Sequence, residues 1–125
     1  MELALETDGP VASLRVAGSV SLGEAGALSE YLRVARENGA VRCIVDFSGC
    51  AWLPTTIVAV LLREAGRFAE AGGALSLSGV GNQNPFLAQA VSSGRFVHYR
   101  SADEAAAAER RGVEPRPVDA PSGGA

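Results

Sequence analysis

Lysine is absent from this 125-residue sequence, so all 11 basic side chains are arginine, and they are scattered along the chain. With a net charge of -3 and a pI near 5.1, such a chain lacks the basic face that DNA or RNA binding requires. No nucleic-acid partner is expected. A single histidine, His98, and the lack of any paired acidic motif leave little from which to assemble an acid, a base and a nucleophile. The chain is therefore read as a non-enzyme with no catalytic residues. His98 lies in an apolar-aromatic stretch and is expected to be a structural imidazole hydrogen-bonded to backbone. Only two cysteines occur, Cys43 and Cys50, too few for a disulfide framework and without the neighbours that would hold zinc. Both are expected to be small, buried or half-buried hydrophobes in a reduced, cytoplasmic setting, and no metal or cofactor is anticipated. Gly79-Val80-Gly81 precedes a helix pattern but lacks the further glycine, lysine and hydroxyl of a phosphate loop, so nucleotide binding is not expected. No basic region precedes an apolar run at the N-terminus, and no apolar run approaches the roughly 20 residues that span a bilayer. Neither export nor direct membrane insertion is anticipated.

What is present suits one core. Hydrophobic residues make up 47% of the chain, and its length matches a single domain. Leu3 and Leu5, a turn at Asp8-Gly9-Pro10 and the run Val11 to Val16 predict an antiparallel hairpin ending at Gly18. Ser21 with Glu24 forms a capping box ahead of a stripe at Leu22, Ala25, Leu28, Leu32 and Ala35, predicting a helix that stops near Asn38-Gly39. Val41 to Phe47 predicts a central strand, and Ala74 to Val80 the next one, parallel to it across an intervening helix. Asn84 and Pro85 predict the cap and first position of a short helix whose apolar residues are Phe86, Leu87, Ala90 and Val91. Phe96 to Tyr99 predicts a last strand, followed by an alanine-rich helix over Ala102 to Arg110, capped by Ser101 and facing inward at Ala105. The expected fold is α/β: a mixed, mostly parallel sheet with about four helices in a domain spanning 1–111. The Pro- and Gly-rich segment 112–125 is expected to be a flexible tail.

Function is expected at the centre of the chain, Cys43 to Phe68. There the central strand joins a long amphipathic helix whose stripe is Ile57, Val60, Leu61, Ala65 and Phe68, with Arg63, Glu64, Arg67 and Glu70 largely on the wet side. Pro54 cannot donate a backbone hydrogen bond and holds Leu53 extended, so the helix should begin just after it with Thr55 as N-cap. One cap uses one hydroxyl; Thr56 is left over at a helix N-terminus, where backbone amides and the dipole favour a phosphoryl group. Trp52, beside this turn, either closes the core edge or serves as a contact residue.

In order and spacing, the hairpin ending at Gly18-Ser19-Val20, VDFSGCAWL, AGGALSLSGV and FVHYRSADEAAAA together resemble the STAS domain family of bacterial anti-sigma-factor antagonists, over roughly Leu3 to Ala108. In such antagonists the key turn reads Asp-Ser-Ser/Thr-Gly, and a partner kinase that is also the anti-sigma factor phosphorylates a hydroxyl there. The matching positions in this chain are Pro54, Thr55, Thr56 and Ile57, so the resemblance implies Thr56, and after it Thr55, as the phosphorylation site. Pro54 supplies no carboxylate and Ile57 no glycine, a pattern suited to docking through apolar and hydroxyl contacts, as in a STAS subunit seated on the ATPase of a lipid-transport ABC system. The resemblance thus implies a partner-switching regulator that binds an anti-sigma factor or serine-kinase-like protein through Trp52, Leu53, Pro54, Thr55, Thr56 and Ile57. A transporter-ATPase subunit is the second reading and a scaffold component the third. The chain itself is expected to be a monomer or a weak dimer.

Overall fold

The computed structural model describes residues 1–113. Strands β1 (Glu2–Asp8), β2 (Val11–Ala17), β3 (Arg42–Gly49), β4 (Ala74–Ser78) and β5 (Val97–Tyr99) form one sheet in sequence order. The β1/β2 hairpin is antiparallel and every later pair is parallel. Helices α1 (Ala25–Glu37), α2 (Thr56–Glu70), α3 (Pro85–Ser92) and α4 (Ala102–Val113) complete the chain, as the mixed α/β expectation required. Gly112 and Val113, assigned from the sequence to the tail, are the last residues of α4; the rest of that tail lies outside the described residues.

The sheet is covered unequally. Leu14, Val16, Cys43, Val45, Phe47, Leu75 and Leu77 face the main core with Leu28, Leu32, Ile57, Leu61, Phe68 and Leu87 from the helices that connect the strands. Each fully buried Leu or Phe contributes about 1.5–3 kcal/mol of apolar burial, so this layer dominates stability. On the opposite face α4 packs over a small cluster, Val11, Ile44 and Ala105, with Tyr99 and Ala106 at its border.

Two boundaries and one side-chain orientation differ from expectation. A 3-10 turn over Leu22–Glu24 precedes α1; at three residues per turn it swings Leu22 off the stripe, leaving it 69% exposed. The expected capping box between Ser21 and Glu24 is present, with the Ser21 amide donating to the Glu24 carboxylate at 2.7 Å. Strand β4 stops at Ser78, short of Val80, because Gly79 turns to φ +69, and a Cβ there would stand 2.7 Å from Ser48. In α3, Leu87 and Ala90 are buried, whereas Phe86 points outward at 58% exposure.

The larger correction concerns Glu64, which is fully buried rather than on a wet face. It stands seven residues beyond Ile57 on the apolar stripe, and the half-buried Ala65 lies beside it. Its carboxylate accepts from Arg36 of α1, from Arg67 at 3.1 Å and from the Ser29 hydroxyl at 2.9 Å, with Arg63 at 3.8 Å. Arg36 in turn lies over the Phe68 ring, 5.6 Å from its centroid. A buried charge is tolerated only when paired in this way, and here the partners come from both α1 and α2. Removing the carboxylate frees arginines that reach water, so Glu64→Ala is expected to cost about 2–3 kcal/mol, mostly from the cavity and lost bonds. Glu64→Met, which keeps the volume, should stay within about 1 kcal/mol of the parent. Urea denaturation of the two variants measures the difference, and equal losses would show that the ion pairs, not packing, hold the helices together.

Candidate functional site

The turn between β3 and α2 is built from below. Cys50 closes it with a hydrogen bond donated by its backbone amide to the Phe47 carbonyl at 3.0 Å, while Leu53 and Pro54 bury their side chains. Ile57, the first apolar residue of α2, is fully buried as well. Trp52 projects outward at 57% exposure, and Thr55 and Thr56 are exposed beside it. Of the six residues expected at a contact surface, Trp52, Thr55 and Thr56 therefore present their side chains to solvent. Leu53, Pro54 and Ile57 shape that surface from beneath.

Thr55 does not cap α2. It has helical angles, φ -61 and ψ -26, and its side chain makes no capping bond to a backbone amide. The amides of Ile57 and Val58 are instead taken by the Pro54 carbonyl at 3.0 Å and the Thr55 carbonyl at 2.9 Å. A tight first turn thus satisfies donors that a capping hydroxyl would otherwise serve. The Thr55 hydroxyl accepts a hydrogen bond from the Asn84 side-chain amide at 3.2 Å. Thr56, the first residue of α2, stays exposed.

Asn84 and Gln83 hold the turn in place. Asn84 is buried; its Nδ2 also donates to the Leu53 carbonyl at 2.9 Å, and its Oδ1 accepts from the amides of Phe86 at 2.8 Å and Leu87 at 3.1 Å. The expected cap of α3 is therefore present, and the same side chain ties the start of α3 to the start of α2. Gln83 donates from Nε2 to the carbonyls of Phe47 at 3.2 Å and Gly79 at 2.9 Å, and its backbone carbonyl accepts from the Leu53 amide at 2.9 Å. A sequence can suggest the cap at Asn84 from the following Pro85, but not the tertiary partners of either amide.

Two hollows are lined by residues near the turn. One, about 260 Å³, lies between α2 and α3 and is lined by Val58, Phe86, Gln89, Ala90, Ser93 and Arg95. The other, about 290 Å³, lies against Trp52, Ala51, Gly49, Gly18 and Ser19. The exposed Phe86 escaped the sequence reading because it stands four residues before the buried Ala90, a spacing that matches a core stripe.

The remaining candidates keep structural roles. Burial pushes the Cys43 thiol up to about 12; burial and then the nearby Asp46 raise that of Cys50, whose sulfur donates to the Val16 carbonyl at 3.3 Å. Both cysteines are buried and free. His98 accepts the Val80 amide on Nε2 at 3.1 Å, the backbone bond expected of it. Among the described residues no three His, Cys, Asp or Glu side chains converge as a metal site, and no helix is long and apolar enough to cross a membrane.

A family model described as "Mlab, STAS domain" matches residues 3–97. The chain belongs to the STAS domain family. Similar solved folds include the anti-sigma factor antagonist SpoIIAA in its unphosphorylated form, at 16% identity, covering 90% of this chain and 100% of that one, with a TM-score of 0.71. A putative anti-sigma factor antagonist from Thermotoga maritima aligns at 14% identity over 87% of this chain and 95% of its own, with a TM-score of 0.74. The Bacillus cell fate determinant SpoIIAA in its phosphorylated form aligns at 15% identity over 86% and 98%, with a TM-score of 0.69. No curated protein matches by sequence.

Two outcomes follow for this STAS domain. Asn84→Ala unpairs the Leu53 carbonyl and two amides of α3 and should cost about 2–4 kcal/mol, whereas Thr55→Ala, which removes one exposed acceptor, should cost under about 1 kcal/mol. Equal losses in denaturant titrations would mean that Thr55 caps the helix after all. For His98, burial lowers the pKa from 6.5, with Glu104 pulling weakly the other way. The unfolded imidazole then takes a proton before the folded one, so stability is full above 6.5 and declines as pH falls through 6.5 towards the lower folded value. The melting temperature should drop between about pH 7.5 and 5.5, and His98→Asn should flatten that drop. An unchanged slope in the variant would assign the titration to another group.

Proposed function

We propose that this STAS domain is a non-catalytic docking module of a partner-switching system, an anti-sigma-factor antagonist or a related regulator. Its binding surface is Trp52, Thr55 and Thr56 together with the groove between α2 and α3. The observation that carries this reading is the exposure of two large aromatics, Trp52 at 57% in the turn beside two exposed threonines and Phe86 at 58% at the start of α3, which Asn84 ties to the Thr55 hydroxyl. Exposed aromatics beside a braced polar turn are the residue types that dominate binding energy at protein interfaces. The partner fitted by this chemistry is a protein, an anti-sigma factor of serine-kinase type.

Thr56 is the first candidate for phosphorylation and Thr55 the second, because Asn84 already engages the Thr55 hydroxyl. Contact is the role favoured for Thr56. The residue at the turn position that carries the family's carboxylate is Pro54, which is buried, and the first-turn amides of Ile57 and Val58 already have carbonyl partners. These same features favour a second reading, a STAS subunit seated on a transport ATPase, in which the turn docks without being modified.

Trp52→Ala removes an exposed side chain and should leave the melting temperature within a few degrees while weakening partner binding by about tenfold or more. Thr56→Asp places charge where the helix dipole favours it by about 0.3–1 kcal/mol, so lost binding there would not reflect unfolding. Affinity capture from the native source with mass spectrometry, using the parent and both variants, identifies the partner and any phosphothreonine together. A kinase-like anti-sigma factor lost in both variants supports the first reading and an ATPase lost in both supports the second. A partner retained at full strength by both variants removes this turn from the interface.

A further inference from the structure

Helix α4 is attached differently from the other three. Ala105 and Glu109 are its buried side chains among the described residues, and its apolar seam on the sheet is the small cluster with Val11 and Ile44. Polar contacts hold the rest. Glu109 accepts from Arg42 at 3.0 Å and from the Tyr99 hydroxyl at 2.7 Å, and Arg110 pairs with Asp8 of the hairpin. Burial and the Glu109 carboxylate push the Tyr99 hydroxyl up to about 12, which keeps it a donor.

The sheet face beneath α4 is unusually polar for a covered surface. Register places Ser13 beside Ile44, Arg15 beside Asp46, and Ser76 and Ser78 beside Ile44 and Asp46 on the next strand. Asp46 accepts from the hydroxyls of Ser48 at 2.7 Å and Ser78 at 2.8 Å, so its carboxylate is satisfied without α4. Ser76, on that same face, buries a hydroxyl that has no hydrogen-bond partner. A gap of about 170 Å³ lies under the first half of α4, between Ala102, Asp103 and Ala106 above and Ala4, Ser13, Arg15 and Asp46 below.

We infer that α4 is a detachable strap: it opens from the sheet as a unit while the rest of the domain stays folded, and it closes on the latch formed by Arg42, Glu109 and Tyr99. Opening exposes little apolar area, wets a serine hydroxyl that is unsatisfied when closed, and leaves the main core untouched. The exposed face lies on the opposite side of the sheet from α2, so the strap moves without disturbing the Thr55–Thr56 turn.

Hydrogen exchange of the full chain, read by mass spectrometry, tests this. In the parent, amides of α4 from Ala105 to Arg111 should exchange about tenfold or more faster than those of α2 from Val60 to Phe68. Glu109→Gln, which removes the ion pair at constant size, should speed α4 by about tenfold again and leave α2 unchanged. Ser76→Ala, which removes the orphan hydroxyl, should slow α4 by about fivefold or more, again alone. Equal protection of α4 and α2 in the parent, or rates of the two helices that move together in Glu109→Gln, would overturn the strap. If Glu109→Gln does not fold, Ser76→Ala decides: slowing confined to α4 supports the strap, and parent-like exchange overturns it.

Discussion

The candidate site depends on keeping a short, partly buried turn rigid although its backbone makes little regular structure. Buried carbonyls and amides must find partners, and in this turn they find them in a loop some thirty residues further along the chain, at Gln83 and Asn84. Asn84 joins the Leu53 carbonyl, the Thr55 hydroxyl and the first amides of α3. One side chain thus serves both helix starts, fixing Thr55 relative to the first residues of α3. The shape of the proposed docking surface is set by polar bonds beneath it, and its apolar character by the aromatics above.

A second asymmetry runs through the sheet. One face is dry and carries the main core; the other is half polar and bears a single helix on a few small side chains. Stability therefore resides on the α1, α2 and α3 side, where Glu64 is packed and paired between the first two helices. The docking face proposed for this domain would be backed by that core, whereas the strap inferred for α4 lies on the reverse side of the sheet.

Membership of the STAS family and a fold similar to that of anti-sigma factor antagonists give this arrangement a functional context. The departures at Pro54 and Ile57 acquire a structural meaning here. Both are buried, so both act on packing: Pro54 contributes the carbonyl that takes the Ile57 amide, and Ile57 anchors α2 in the core. They change what lies under the threonines, while Trp52 and Thr56 stay exposed above and Asn84 engages the Thr55 hydroxyl.

Local patterns by themselves determined the order of strands and helices, the hairpin, the Asn84-Pro85 helix start and the inward Ala105, because periodicity and turn chemistry act between near neighbours. That Thr55 and Thr56 stand at the start of α2 was legible for the same reason. Burial of Glu64 was written in its spacing from Ile57 and Phe68 but masked by its charge, since the cation that makes burial tolerable, Arg36, sits on another helix. Whether the Thr55 hydroxyl caps its own helix or accepts from Asn84, and whether Phe86 and Trp52 face solvent or core, depended on segments distant in the chain. Those were decided by tertiary structure, because a hydrogen-bond partner or a covering surface brought from far along the sequence leaves no periodic trace in the residues it meets.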